Sequence, residues 1–264
     1  MALNRVWVRL LLFAIGAAAC VLVYLFLLNF PPISVGSRSA GIIPVFVLAA
    51  GTVLLTAYFL RTEELSWHVL GLARGDRRGS RFTFGFLGGL ALIAIWVLIL
   101  DWVTGTSWRV NPAFSGIALA TAGAFYLFNN IGEELVYRGY AFFKLAERGG
   151  EIFALLFTTT IFALLHLQKG IPWQGVIAAV FTTGLIYGAI FARWRSVPLA
   201  LGFHVATNVG QDVFGLRPGA DSWIVPTLAS GVGDAQVALL SGIAVINIIV
   251  AASIMFISRG APTR

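Results

Sequence analysis

Apolar residues gather along this chain in long unbroken runs, at 10–30, 41–60, 82–103, 113–131, 152–167, 172–192, 198–214 and 235–257. A helix needs roughly 20 apolar residues to cross a hydrocarbon layer, and six of the eight runs approach or pass that length. The runs at 152–167 and 198–214 are shorter. No internal repeat and no low-complexity linker divides them. The pattern predicts an all-α, polytopic membrane bundle of about eight transmembrane helices, a single domain over 1–264 whose motif-bearing core lies within 113–214. The fourth run is expected to continue as helix to about Arg148.

The first run imitates a signal peptide, because Gly16-Ala17-Ala18-Ala19-Cys20 resembles a small-residue cleavage region. Ten further residues of the run follow Cys20, and Ala17 stands where a lipobox has leucine, so the run is expected to be a retained helix. Composition agrees with a membrane location: 59% of the 264 residues are hydrophobic, 11% are charged, and the mean hydropathy is +0.90. The lone Cys20 excludes a disulfide framework and any multi-cysteine zinc site.

A net charge of +7 resembles a nucleic-acid signal until it is placed on loops. With the N-terminus in the cytoplasm, thirteen lysines and arginines fall on inner segments, among them Arg5, Arg9, Arg61, Lys144, Arg193 and Arg259. Only Arg38, Arg109, Lys169 and Arg217 fall on outer ones. That asymmetry predicts both termini inside, and no nucleic-acid partner is called for. The cluster Arg74, Arg77, Arg78 and Arg81 is a candidate for contact with anionic membrane lipid. Glu63, Glu64, Trp67 and His68 belong to an amphipathic stretch expected at the cytoplasmic interface, where His68 needs no chemical role. Trp102 and Trp108 are expected to form part of an aromatic belt.

One stretch interrupts the apolar pattern, Asn129-Asn130-Ile131-Gly132-Glu133-Glu134-Leu135-Val136-Tyr137-Arg138. Ionisable side chains at membrane depth are expensive and point to function. Residues four apart share a helix face, which groups Asn130, Glu134 and Arg138 on one side and Asn129, Glu133 and Tyr137 on another. Glu134 can therefore pair with Arg138 in the favourable acid-before-base order, and Glu133 cannot. Glu133 becomes the candidate for chemistry.

Two of the three histidines lie inside apolar runs, in Phe162-Ala163-Leu164-Leu165-His166 and His204-Val205-Ala206-Thr207-Asn208. Counting ~1.5 Å per helical residue from the inner ends puts Glu133 and His166 at about 20 Å, His204 at about 10 Å and Asn208 at about 16 Å. The four side chains are compatible with one cavity in the cytoplasmic half or near the midplane.

Glu133-Glu134-x-x-x-Arg138, Phe162-x-x-x-His166 and His204-x-x-x-Asn208, in that order on successive helices, resemble the CPBP family of intramembrane proteases. The family includes the type II CAAX prenyl endopeptidases and the Abi proteins. The resemblance implies hydrolysis of a peptide bond by water activated inside the membrane. Glu133 would be the general base assisted by His166, His204 and Asn208 would stabilise the oxyanion, and Glu134 and Arg138 would support the site. An asparagine amide and an imidazole N–H are suitable donors to a developing oxyanion. No serine stands beside this constellation in a recognisable motif, so a serine nucleophile is not expected.

The resemblance also implies a location in a prokaryotic-type cytoplasmic membrane, with the active site open to the cytoplasmic side and a peptide or lipidated protein as substrate. No cofactor is favoured. A zinc ion held by Glu133, His166 and His204 is the alternative, although no His-Glu-x-x-His helix is present. A membrane scaffold or immunity protein that retains the protease fold is a second reading of the same residues. A small transporter with a charge relay is a third, and it lacks paired broken helices. The C-terminal Ala261-Pro262-Thr263-Arg264 has no prenylation cysteine, so the chain is not expected to be a CAAX substrate itself. Neither the choice between prenylated peptides and leader peptides nor the oligomeric state is legible at this level.

Overall fold

A computed structural model of the protein describes residues 2–29, 41–217, 222–227 and 232–257. Arg38, Arg259 and Arg264 lie outside the described residues. The chain is overwhelmingly helical. Its helices are α1 (Ala2–Leu28), α2 (Ile42–Thr62), α3 (Arg78–Thr104), α4 (Gly116–Arg138) and α5 (Tyr140–His166), followed by α6 (Trp173–Trp194), α7 (Val197–Val213) and α8 (Val232–Phe256). Six stretches are long and apolar enough to cross a membrane, one of them the 51-residue Gly116–His166 that joins α4 to α5. The 17-residue α7 is not among them.

Local chemistry sets where these helices begin and bend. Ser115 caps α4 by accepting from the backbone N–H of Ala118 at 3.3 Å. Ser196 does the same for α7 through Leu199, with Pro198 in the first turn where its missing N–H costs nothing. The fourth helix does not run on to Arg148 as its sequence pattern suggests. It ends at Arg138, because Gly139 turns the backbone to φ −90°, ψ −129°, where a Cβ would stand 2.2 Å from the carbonyl oxygen of Leu135. A second break falls inside α5 at Gly150, whose φ of 83° is open to glycine and strained for other residues. In α6 the segment Val176–Phe181 is wound as a π-helix, a departure often found beside functional sites.

Two short strands depart from the all-α expectation. Strand β1 (Ser107–Val110) pairs antiparallel with β2 (Ile224–Thr227), Ser107 opposite Thr227 and Val110 opposite Ile224. This ribbon ties the connection after α3 to the connection before α8.

The bundle has two chemically distinct ends. At one, Glu63 beyond the C-terminus of α2 meets Arg9 of α1 at 2.9 Å and Lys144 of α5 at 2.8 Å, and it accepts from the Tyr140 hydroxyl. Glu151 and Arg195 pair at 2.8 Å at this same end. Here too His68 lies 2.9 Å from Asp76. The other end holds the β1–β2 ribbon, with Trp108 against Phe214 and Phe114 against Trp223. Trp102 is highly exposed at this end.

Helix α7 is pressed into α3 at near-backbone contact. A Cβ on Gly85 would lie 2.0 Å from the carbonyl oxygen of Leu199, and one on Gly202 would lie 2.0 Å from that of Phe82. Small residues at membrane helix interfaces permit such approach, and dispersion and polar contacts then hold the pair. Beside it, the buried Asn247 of α8 accepts from the Trp96 indole at 3.1 Å and donates to Thr182 of α6 at 2.8 Å. These contacts fix α3, α6, α7 and α8 around a polar interior.

Candidate active site

The two faces of the polar stretch on α4 have different environments. Asn130, Glu134 and Arg138 are fully buried, while Asn129, Glu133 and Tyr137 are half-buried. Glu134 Oε1 accepts from the Arg138 guanidinium at 3.3 Å and from His204 Nδ1 at 2.8 Å. Arg138 also donates to the carbonyl oxygen of Gly184 at 3.2 Å, and its guanidinium lies 4.6 Å from the ring centre of Phe162 and 5.3 Å from that of Tyr187. A buried cation is tolerable where an opposite charge, hydrogen bonds and aromatic faces replace water. Arg138 has all three.

Glu133 stands at the edge of this cluster. Its Oε1 accepts from Asn129 at 3.1 Å, and its Oε2 lies 3.7 Å from His204 Nε2. His204 thus sits between two carboxylates, one at each ring nitrogen, with Tyr187 stacked on it at 4.3 Å between ring centres. The Tyr187 hydroxyl is anchored to Thr207 at 2.7 Å. His166 faces the same space from the end of α5. Its Nδ1 is 2.8 Å from the carbonyl oxygen of Phe162, so that nitrogen carries the proton and Nε2 is the acceptor of the neutral ring.

Asn208, one turn beyond His204, is held at both ends of its amide. Its nitrogen donates to Asn130 Oδ1 at 3.1 Å, and its oxygen accepts from Arg217 at 3.0 Å. Arg217 also donates to the Tyr126 hydroxyl and lies 3.6 Å from the buried Asp212, to which Tyr126 donates at 2.8 Å. Sequence reasoning placed Arg217 in an outer loop and missed its role beside Asn208. It also passed over Tyr126, Asp212 and Tyr187. A regular spacing reaches Tyr126, one turn before Asn130, and Asp212, one turn after Asn208. Arg217 lies beyond the end of α7, where no helical spacing reaches.

Glu133, His166, His204 and Asn208 all line one cavity of about 720 Å³. The polar side chains occupy one part of its wall, and residues such as Leu25, Trp96, Phe125 and Val180 make the rest apolar. Among the described residues, no three His, Cys, Asp or Glu side chains form a group able to hold a metal ion. Both histidines hold Nδ1 on a partner, Glu134 for His204 and the carbonyl oxygen of Phe162 for His166, so Nε2 is the ring nitrogen each can turn to other chemistry.

The cavity extends toward one end of the bundle. Its walls include Leu28 at the end of α1, Ile171 before α6, and Leu216 and Arg217 after α7. All of these belong to the ribbon end of the bundle. Arg9, Glu63, Lys144, Glu151 and Arg195, which mark the other end, are not part of the wall. The arginine-rich face that the charge count assigns to the cytoplasm is not the one toward which the cavity extends.

Fold and site together define a polytopic helical membrane protein with a polar chamber enclosed by its helices. A sequence model described as type II CAAX prenyl endopeptidase Rce1-like matches residues 115–210. That segment holds Glu133, Glu134, Arg138, His166, His204 and Asn208, and the match supports a CPBP, or CAAX-protease, family assignment over those residues. Searches of curated proteins and of solved structures returned no match.

Proposed function

We propose that the protein is an intramembrane endopeptidase in which Glu133 activates a water molecule for attack on a peptide carbonyl. The family match makes a protease the natural class. The observation that carries the mechanism is the convergence of Glu133, His166, His204 and Asn208 on one cavity. In the reaction, the water oxygen bonds to the carbonyl carbon while its proton passes to Glu133. His166 Nε2, as the acceptor of its ring, helps hold the water. When the C–N bond breaks, the same proton passes from Glu133 to the leaving amine.

The developing oxyanion takes its donors from Asn208 and His204. Asn208 keeps one amide N–H on Asn130 and offers the second to the cavity. His204 keeps Nδ1–H on Glu134, so it donates only as the doubly protonated ring, through Nε2–H. Glu134 and Arg138 set the plane of that ring and do not touch the reacting atoms.

The proposed substrate is a peptide or lipidated protein whose scissile bond enters the cavity, with the apolar wall receiving an aliphatic or lipid-like portion. The proposed topology has eight crossings with both termini in the cytoplasm, which the excess of basic residues at the Glu63 end supports. No step is routed through a metal. Turnover should survive chelation, and zinc bound in stoichiometric amount whose removal abolishes cleavage would refute metal-free chemistry. Glu133→Gln and His166→Ala should each abolish cleavage while the purified proteins melt as the parent does. Cleavage persisting in either variant removes that residue from the mechanism.

A further inference from the structure

The position of the cavity along the bundle limits where a substrate comes from. Its wall takes Leu28, Ile171, Leu216 and Arg217 from the ribbon end, and Arg217 is the only lysine or arginine among its lining residues. The opposite end carries the ion pairs of Glu63 and Glu151 and eleven of the described basic residues, including Arg5, Arg61, Arg74, Arg77, Arg78 and Arg81. Among the described basic residues, Arg109, Lys169 and Arg217 are the ones that fall at the ribbon end. Basic residues flanking membrane helices mark the cytoplasmic side.

We infer that the cavity is entered from the non-cytoplasmic side, so that the substrate is a polypeptide exposed on the outer face of the membrane. The identity of the cavity as a catalytic chamber rests on the protease reading above, but its sidedness does not. Glu133, Asn129 and His204 line the chamber, and along α7 the lining residues His204, Asn208 and Gln211 succeed one another toward Leu216 at the ribbon end. A segment that has been exported, or that emerges on the outer leaflet, reaches them without crossing the arginine-rich face. A soluble cytoplasmic peptide does not. The leader or tail of an exported protein is the substrate class that fits.

Cysteine labelling tests this without any turnover. In a Cys20→Ser background, Ile171→Cys and Leu216→Cys report on the cavity mouth, and Arg77→Cys and Arg74→Cys report on the opposite face. Each is exposed to a membrane-impermeant maleimide in intact cells, then in permeabilised cells, then after denaturation. We expect Ile171→Cys and Leu216→Cys to react in intact cells at least tenfold faster than Arg77→Cys and Arg74→Cys, which should react only after permeabilisation. Two positions at each face keep the result readable if one variant fails to accumulate. The reverse pattern overturns the inference, because the cavity then opens to the cytoplasm. Mouth cysteines that react only after denaturation overturn it too, because the cavity is then closed to water on that side. Should Glu133→Gln cleave as well as the parent, the protease reading fails while the labelling result stands.

Discussion

His204 is the residue at which charge, hydrogen bonding and stacking converge. With Glu134 at 2.8 Å on one nitrogen and Glu133 at 3.7 Å from the other, it links the buried face of α4 to the half-buried one. Arg138 balances that arrangement. Arg138→Ala should therefore do more than lower activity: it leaves Glu134 buried without its cation, which costs about 3–5 kcal/mol in comparable buried pairs. Lower expression and an earlier melt in detergent are expected, and a variant as stable as the parent would contradict the role. Arg217 acts at longer range, by fixing the amide of Asn208. A small misplacement of a catalytic donor costs on the order of tenfold to a hundredfold in rate. Arg217→Ala should lower kcat to that extent with KM nearly unchanged and Arg217→Lys partly restoring it, whereas a raised KM alone would assign Arg217 to substrate binding. The face that buries Asn130, Glu134 and Arg138 was legible from residue spacing alone. The restraint on Asn208 was not, because it depends on where the chain returns after α7.

Among the elements, α7 is the one whose seating matters most, since it carries both His204 and Asn208. Its contact with α3 depends on glycines at 85 and 202, where any Cβ meets backbone. Gly202→Leu should push the two helices apart, lower the melting temperature and move His204 off its partners two residues away. Loss of cleavage with an unchanged melt would place the effect elsewhere. Apolar runs made most helices visible in the sequence, yet three local features escaped. Gly139 reads as a tolerated helix glycine until the turn is seen, the π-helical segment of α6 has no pattern of its own, and four-residue strands are too short for periodicity to register.

At the scale of the whole molecule, the two ends differ in how they are held. The ribbon joins connections at one end, while Glu63 gathers α1, α2 and α5 at the other. Burial pushes the Glu63 carboxyl upward, but hydrogen bonds from Lys144, Tyr140 and Arg9 outweigh it and hold the group below its ordinary value of 4.5. The folded state then binds fewer protons at this site than the unfolded chain. Its contribution is fully present above the unfolded value and is lost as pH falls through the lower folded one. The melting difference between parent and Glu63→Gln should be present at neutral pH and should shrink in acid, below the usual carboxylate range. A difference that does not change with pH would remove Glu63 as the latch.

The most direct test of the central claim is cleavage of a quenched fluorescent peptide panel by purified parent and Glu133→Gln protein. The panel should hold prenylated CAAX peptides together with unmodified leader peptides. The account predicts that the parent cleaves at least one member and that Glu133→Gln cleaves none. Equal cleavage by the two proteins would contradict it.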